Sequence, residues 1–202
     1  MNDKNIKKTY DTISTHFSKT RYNIWNCVKL FLDKVEKNTI IGDIGCGNGK
    51  NMLYRKDCIN MGCDLSNNLV NICIQKNLNV VLGNILNIPY KNNIFDYTIC
   101  IAVIHHLSSI NKRKQAINEL IRVTKKGGKI LILVWAFEQE KSSRFNFTKQ
   151  DNYIDWKDKD KNIIGKRFYH VFKQNELEEL IDKSLKYESF YEKGNRGVII
   201  SL

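Results

Sequence analysis

The segment Asp43-Ile-Gly-Cys-Gly-Asn-Gly-Lys50 closes a short apolar run that begins at Ile40-Ile41, and Gly62-Cys63-Asp64 follows it. The apolar pair reads as the end of a strand. Gly45, Gly47 and Gly49 permit a tight turn that brings the backbone close to a ligand before the chain moves on. A carboxylate at position 64 stands where the second strand of a βαβ unit ends, within reach of a ribose diol. The spacing G-x-G-x-G departs from the dinucleotide fingerprint G-x-G-x-x-G, whose turn accommodates a pyrophosphate. A cofactor with ribose and adenine but no phosphate suits it better, and S-adenosylmethionine is the common one.

At 202 residues the chain has the length of a single domain, 1–202, with a full core. Its 42% apolar and 27% charged content is that of a globular protein rather than a disordered one. No apolar run approaches the ~20 residues that span a bilayer, and the start, Met1-Asn-Asp-Lys-Asn, has no signal-peptide core. An intracellular protein is expected, cytoplasmic with the nucleus as a second location, and no membrane partner. Cysteines 27, 46, 58, 63, 73 and 100 lie mostly in apolar runs and never form C-x-x-C. They read as reduced thiols packed as small apolar residues, with no disulfide and no metal site. The balance of 33 basic to 21 acidic residues, net +12, favours polyanions. A skewed composition is the competing explanation, since Lys, Asn and Ile abound and Pro89 is the only proline.

Apolar spacing predicts helices over residues 4–18 and 24–36. Strands and helices then alternate: strand 40–44, a helix after Gly49, strand 59–63, a helix capped by Ser66, a short strand at 79–82, a buried strand at 95–103, helix 112–124 and strand 129–135. Such alternation implies a parallel sheet with helices on both faces. After a helix at 174–183, strands at 185–191 and 198–202 flank Gly194-Asn-Arg-Gly197 as an antiparallel hairpin. The fold class expected is α/β, a Rossmann-like seven-stranded sheet of the class I methyltransferase plan, closed by a C-terminal hairpin. Residues 1–36 would lie over the cofactor site. Residues 138–166 show no clear period and read as a substrate-facing insertion or a mobile surface loop; as an insertion facing the substrate the stretch is bounded at 138–173.

Open α/β sheets bind ligands at the carboxyl ends of their strands. Asp43, Gly45, Gly47 and Asn48 would therefore line the methionine part of the cofactor, Asp64 its ribose, and Asn84 and Ile85 its adenine. Residues 101–106, with Ala102 among them, would form the floor between cofactor and acceptor. Each has a plainer explanation. Asp43 could cap the glycine turn, Asn84 could be an ordinary turn residue, and Trp135 could be core rather than a platform for a base. Of His105 and His106, one should be structural and one should face the site; His106 is favoured.

Assembled in order, these segments resemble the wobble-uridine tRNA carboxymethyl methyltransferases, including the methyltransferase domain of the AlkB-homologue tRNA enzyme. The resemblance rests on Tyr10-Asp-x-Ile-x-x-x-Phe17-Ser-x-Thr-Arg21-Tyr22, the glycine loop, Gly62-Cys-Asp-x-Ser66, and Ile101-Ala-Val-Ile-His-His-Leu107. Further on it rests on Val134-Trp-Ala-Phe-Glu-Gln139, Arg167-Phe-Tyr-His-Val-Phe172 and Ser189-Phe-Tyr-x-x-Gly-Asn195. It implies S-adenosylmethionine as cofactor and, as substrate, a tRNA anticodon stem-loop with 5-carboxymethyluridine at the wobble position. Tyr10 and Arg21 would hold the cofactor carboxylate. His106, Trp135, Arg144, Arg167, Tyr169 and His170 would surround the modified base, with His106, Arg21 and Trp135 aligning the reacting groups. It also implies a small zinc-binding activator protein that forms a heterodimer along the third strand, at Val80-Val81-Leu82. Two departures stand out: Asn84 replaces an acid found in many relatives, and Arg196 replaces a frequent tryptophan. The Trp25 segment also lacks its usual flanking prolines.

The acceptor acid, with a pKa near ~4, is ionised at neutral pH and needs no general base. Lys112-Arg113-Lys114, Lys125-Lys126 and Lys129 would supply phosphate contacts for the RNA. Two other readings share the cofactor fold. A small-molecule carboxylate or phenol O-methyltransferase would bind small acids and not shift tRNA. A non-catalytic subunit would fail to bind S-adenosylmethionine.

Overall fold

The computed structural model describes residues 3–202. Its sheet has seven strands in the order β3-β2-β1-β4-β5-β9-β8. The strands are β1 (Ile40–Ile44), β2 (Ile59–Asp64), β3 (Asn79–Leu82), β4 (Phe95–Ile101), β5 (Thr124–Trp135), β8 (Lys186–Glu192) and β9 (Asn195–Ser201). The first five pair in parallel, and β9 runs antiparallel to both β5 and β8. Class I methyltransferases share this plan. The order reverses between β1 and β4, so the carboxyl ends of those strands, at Ile44 and Ile101, open a crevice.

Both faces of the central strands are buried, as near-continuous apolar runs require. One layer packs Phe95, Ile130, Ile132 and Val134 against Ile117 and Leu120 of α4 (Ile110–Val123) and against Phe172. The other packs Ile41, Ile99, Leu131 and Leu133 against Val28, Phe31 and Leu32 of α2 (Asn26–Leu32). Each fully buried large apolar side chain contributes roughly 1.5–3 kcal/mol. α1 (Asp3–Thr20) lies across α3 (Asn67–Gln75), whose first turn Ser66 caps by accepting from the Leu69 amide. The six cysteines are unbridged. No helix among the described residues is long and apolar enough to cross a membrane.

Several sequence expectations give way. The helix after Gly49 is a run of turns, because the Asn51 amide turns inward to Asp43 and Lys50 donates to the Asn23 carbonyl. The helix at 24–36 shortens to seven residues. The helix at 174–183 is turns around a single 3-10 turn, Glu178–Leu180. Leu177, Leu180 and Ile181 still bury against the α4 side of the core, so their spacing is met by a tighter coil. The strand expected to reach residue 103 stops at Ile101, since Ala102 turns left-handed (φ 62°).

The 138–173 stretch holds ordered structure. β6 (Asp151–Lys157) and β7 (Ile163–His170) form an antiparallel pair from Asp151↔His170 to Lys157↔Ile163. Its turn carries no glycine. Asp158 instead accepts from the Asp160 and Asn162 amides, and Lys161 takes the left-handed position. Gly165 of β7 is where α1 seats: a Cβ there would lie 3.0 Å from both Ile13 and Thr9.

Candidate functional site

The crevice at the β1–β4 switch is walled by the glycine loop, Asp64, residues 83–85 and 101–107, and roofed by Tyr10, Phe17 and Arg21 of the α1 segment. Gly45 sets its shape. At φ 78° it turns the chain sharply, and an added Cβ would stand 2.3 Å from Val103. Asp64 accepts from the Gly47 amide at 2.8 Å and the Ser66 amide at 2.9 Å, which ties the loop to β2 and leaves lone pairs toward the cleft. Asp43 is 1% exposed, and one of its oxygens has no partner. Burial pushes its carboxyl up to about 7, the Asn51 amide opposes that, and the nearby Asp64 adds to it.

The loop also fastens the roof. Asn48 Nδ2 donates to the Arg21 carbonyl at 2.9 Å and the Ser18 carbonyl at 3.3 Å. Lys50 reaches Asn23 at 2.8 Å and lies over the Trp25 ring. Asp11, from the middle of α1, accepts from Ser66 Oγ at 2.6 Å and from the Asn68 amide, pinning α1 onto the start of α3. Asn84 makes a local turn, accepting from the Leu86 amide, while still lining the cleft beside Ile85.

At the far end, β4, β5 and β7 deliver an aromatic wall. His105 and His106 come from the 3-10 turn that follows Ala102. His105 is buried and accepts from the Trp135 amide at 3.1 Å. His106 takes the opposite role, with Nδ1 on the Phe168 carbonyl at 2.7 Å and Nε2 on the Tyr10 hydroxyl at 2.8 Å. Trp135 stacks on Tyr169 (4.4 Å, 22°) and meets Phe145 at 5.1 Å. Arg167 is 5% exposed and donates to Tyr169 Oη at 2.5 Å, while its Nε has no partner. No carboxylate among the described residues pairs with Arg167 or Arg21. A buried cation in that condition is costly without an anion.

Other expected residues go elsewhere. His170 is outside the cleft wall: its ring nitrogens are held by Asp151 and Glu176, each at 2.6 Å, so it fastens the β6–β7 pair and does not face the acceptor. Arg144 is exposed over the Phe145 ring and is not part of the cleft wall, though its charge reaches Arg21. Arg196 pairs with Glu138 through one terminal nitrogen at 2.7 Å, and its side chain is only 14% exposed. Arg113 is buried, donating to the Leu107 carbonyl. Lys125, Lys126 and Lys129 stand at the amino end of β5, the end of the sheet away from the cleft. From sequence, Asp11 and Phe168 stand only as parts of motifs with no role of their own, and Trp156 does not stand out. Only the period-two pattern of β6 could have signalled the last.

The cleft contents suit S-adenosylmethionine. It offers a carboxylate for hydroxyls, apolar Leu65, Ile85 and Leu107 for a flat base, and unpaired guanidinium for a carboxylate. Residues 42–132 match the family model described as Methyltransferase domain. A methyltransferase from the complex with the Haloferax volcanii Trm112 methyltransferase activator superposes with a TM-score of 0.71 at 15% identity, over 97% of this chain and 96% of that one. An Arabidopsis thaliana tRNA (carboxymethyluridine(34)-5-O)-methyltransferase is 46% identical over 140 residues, 69% of this chain, which spans only 35% of that protein's length. The protein of the same description from Schizosaccharomyces pombe is 39% identical over 199 residues, covering 88% of this chain and 86% of its own length. With that match running nearly end to end, the chain belongs to the tRNA (carboxymethyluridine(34)-5-O)-methyltransferase family.

Proposed function

We propose that the chain methylates the carboxylate of 5-carboxymethyluridine at the wobble position of tRNA, giving the methyl ester, with S-adenosylmethionine as donor. The observation that carries this is Arg167, a buried guanidinium without an acid, set among Tyr169, His106 and Trp135 beside the cofactor cleft. An anionic acceptor completes that site; a neutral uridine leaves it uncompensated.

When bound, the cofactor supplies an electrophilic methyl group. Arg21, held through Asn48, would receive its carboxylate, Asp64 its ribose, and Asn84 and Ile85 its base. The acceptor carboxylate is ionised at neutral pH, so forming the ester bond releases no proton. The neutral His106 and the Tyr10 hydroxyl therefore serve as positioning groups and not as a base. The aromatic wall excludes water, which strengthens alignment of opposite charges in the pocket. Phosphates of the anticodon arm would be met by exposed Lys114, Lys159 and Lys161, and the net charge of +12 supports a polyanionic partner.

A small zinc-binding activator of the Trm112 type would complete the enzyme, with the complex acting in the cytoplasm. In support, β3 is an edge strand with Val81 and Leu82 exposed, a surface suited to strand addition. The test offers labelled cofactor to anticodon stem-loops carrying uridine or 5-carboxymethyluridine, with and without the activator. Alkali-labile label on the acid alone is expected. Label on neither, with activator present, removes the substrate.

A further inference from the structure

Arg21 and Arg167 come from distant parts of the chain, yet both guanidinium carbons lie over one indole. Arg21 is 5.1 Å and Arg167 4.5 Å from the Trp156 ring centroid. Trp156 does not line the cleft and is 6% exposed. Its ring is fixed by an edge hydrogen bond from Nε1 to His16 Nδ1 at 2.8 Å and by contact with Phe17. The same short stretch locks α1 to β7: Thr9 donates to the Lys166 carbonyl, and Gly165, the register partner of Trp156, lets α1 approach. Two like charges with no acid between them repel, so something must hold them side by side. An aromatic face does this without neutralising either one.

The geometry points to Trp156 as a positioning residue that holds Arg21 and Arg167 as paired carboxylate receptors, one for the cofactor and one for the acceptor. This rests on the function proposed above. An acidic residue in place of Trp156 would also hold the guanidinium groups, but it would satisfy them and weaken both receptors. The indole leaves their hydrogen-bonding edges open. Because the residue just after α1 is one receptor and β7 carries the other, Trp156 also sets the distance between donor and acceptor anions, on which an in-line approach depends.

The test uses the full chain, with and without activator, and compares ligands that differ only in the carboxylate. Binding of S-adenosylmethionine and of its decarboxylated analogue is measured by calorimetry for the native protein, Trp156→Leu and Trp156→Phe. Trp156→Leu is expected to weaken S-adenosylmethionine about tenfold and the decarboxylated analogue less than about twofold. Trp156→Phe, which keeps a ring face, recovers most of the difference. On stem-loops, Trp156→Leu is expected to erase the preference for 5-carboxymethyluridine over its neutral amide, raising KM more than it lowers kcat. Equal proportional losses with and without the carboxylate would show a merely structural tryptophan and overturn the assignment. If Trp156→Leu fails to fold, Trp156→Phe and His16→Leu carry the same comparison, the latter freeing the ring without emptying its place. Absence of methyl transfer by the native complex would defeat the functional reading alone. The binding comparison needs no turnover and still decides the role of Trp156.

Discussion

The Tyr10 hydroxyl lies 2.8 Å from His106 Nε2, and the other ring nitrogen of His106 meets the Phe168 carbonyl at 2.7 Å. A carbonyl oxygen only accepts, so Nδ1 carries the proton and Nε2 receives the one from Tyr10. One histidine thus joins α1, β4 and β7 in a single tautomer. Burial lowers its pKa to about 3, with the Phe168 contact opposing and the Arg167 charge adding to the shift.

His106 therefore stays neutral across working pH. Since its folded pKa lies below the ordinary 6.5, the stability from its neutral form is full above that value and falls as pH drops toward about 3. Between pH 8 and pH 5.5 no break in kcat from this residue is expected, and a break near 6.5 in a pH–rate profile would contradict it. Tyr10→Phe leaves Nε2 unpaired, at a cost of about 1–3 kcal/mol. The measurement is kcat/KM for the acid stem-loop, expected to fall roughly tenfold or more.

Asp43 runs the other way. Its folded pKa of about 7 lies well above that of an unfolded carboxyl, so the folded chain binds more protons between the two values. Stability without cofactor should then decline as pH rises from about 4 through 7, by at most about 4 kcal/mol. Asp43→Asn removes that slope. The expected outcome is a higher Tm than the native chain at pH 8 and little difference at pH 4, by calorimetric scans.

The cofactor half of the cleft was legible because it is local. The glycine turn, Asp64 and the strand ends fall in fixed order along a short segment, and backbone sterics alone limit what such spacing can form. The acceptor half is non-local. Trp156 lies on a strand whose period-two pattern is blurred by polar Asn152 on its inner face and exposed Tyr153 on its outer one, His170 closes a strand whose last four residues are all buried, and the turn between the two strands lacks the usual glycine. His170 is an exposed-looking motif residue by sequence, yet two carboxylates brought from β6 and the following turn claim it. The helix expected at 174–183 failed for a related reason: apolar spacing of three and four suits a 3-10 turn pressed on a core as well as a free helix.

Gly45 offers a test of how tightly backbone and cleft are linked. Gly45→Ala meets Val103 Cγ2 at 2.3 Å and must also hold φ at 78°. A cost of about 1–3 kcal/mol is expected, together with weakened cofactor binding. Adding Val103→Ala relieves the clash but not the backbone strain. The double variant should regain only part of the Tm and affinity, and full recovery would mean that the positive φ is not needed.

Leu82 connects the sheet edge to the cleft. It is 50% exposed on β3, and its register partner on β2 is Asp64, the residue offered to the ribose. A partner strand laid on β3 would satisfy its free backbone edge, cover Val81 and Leu82, and stiffen the strand that holds Asp64. Leu82→Lys should therefore hinder pairing without harming the isolated chain, since an exposed substitution there costs within about 0.5 kcal/mol. With the activator co-produced, less heterodimer is expected on size-exclusion chromatography, weaker cofactor binding, and an unchanged Tm for the chain alone. Undiminished heterodimer with Leu82→Lys would move the activator away from this edge. Lost Tm in the isolated chain would make Leu82 a packing residue instead.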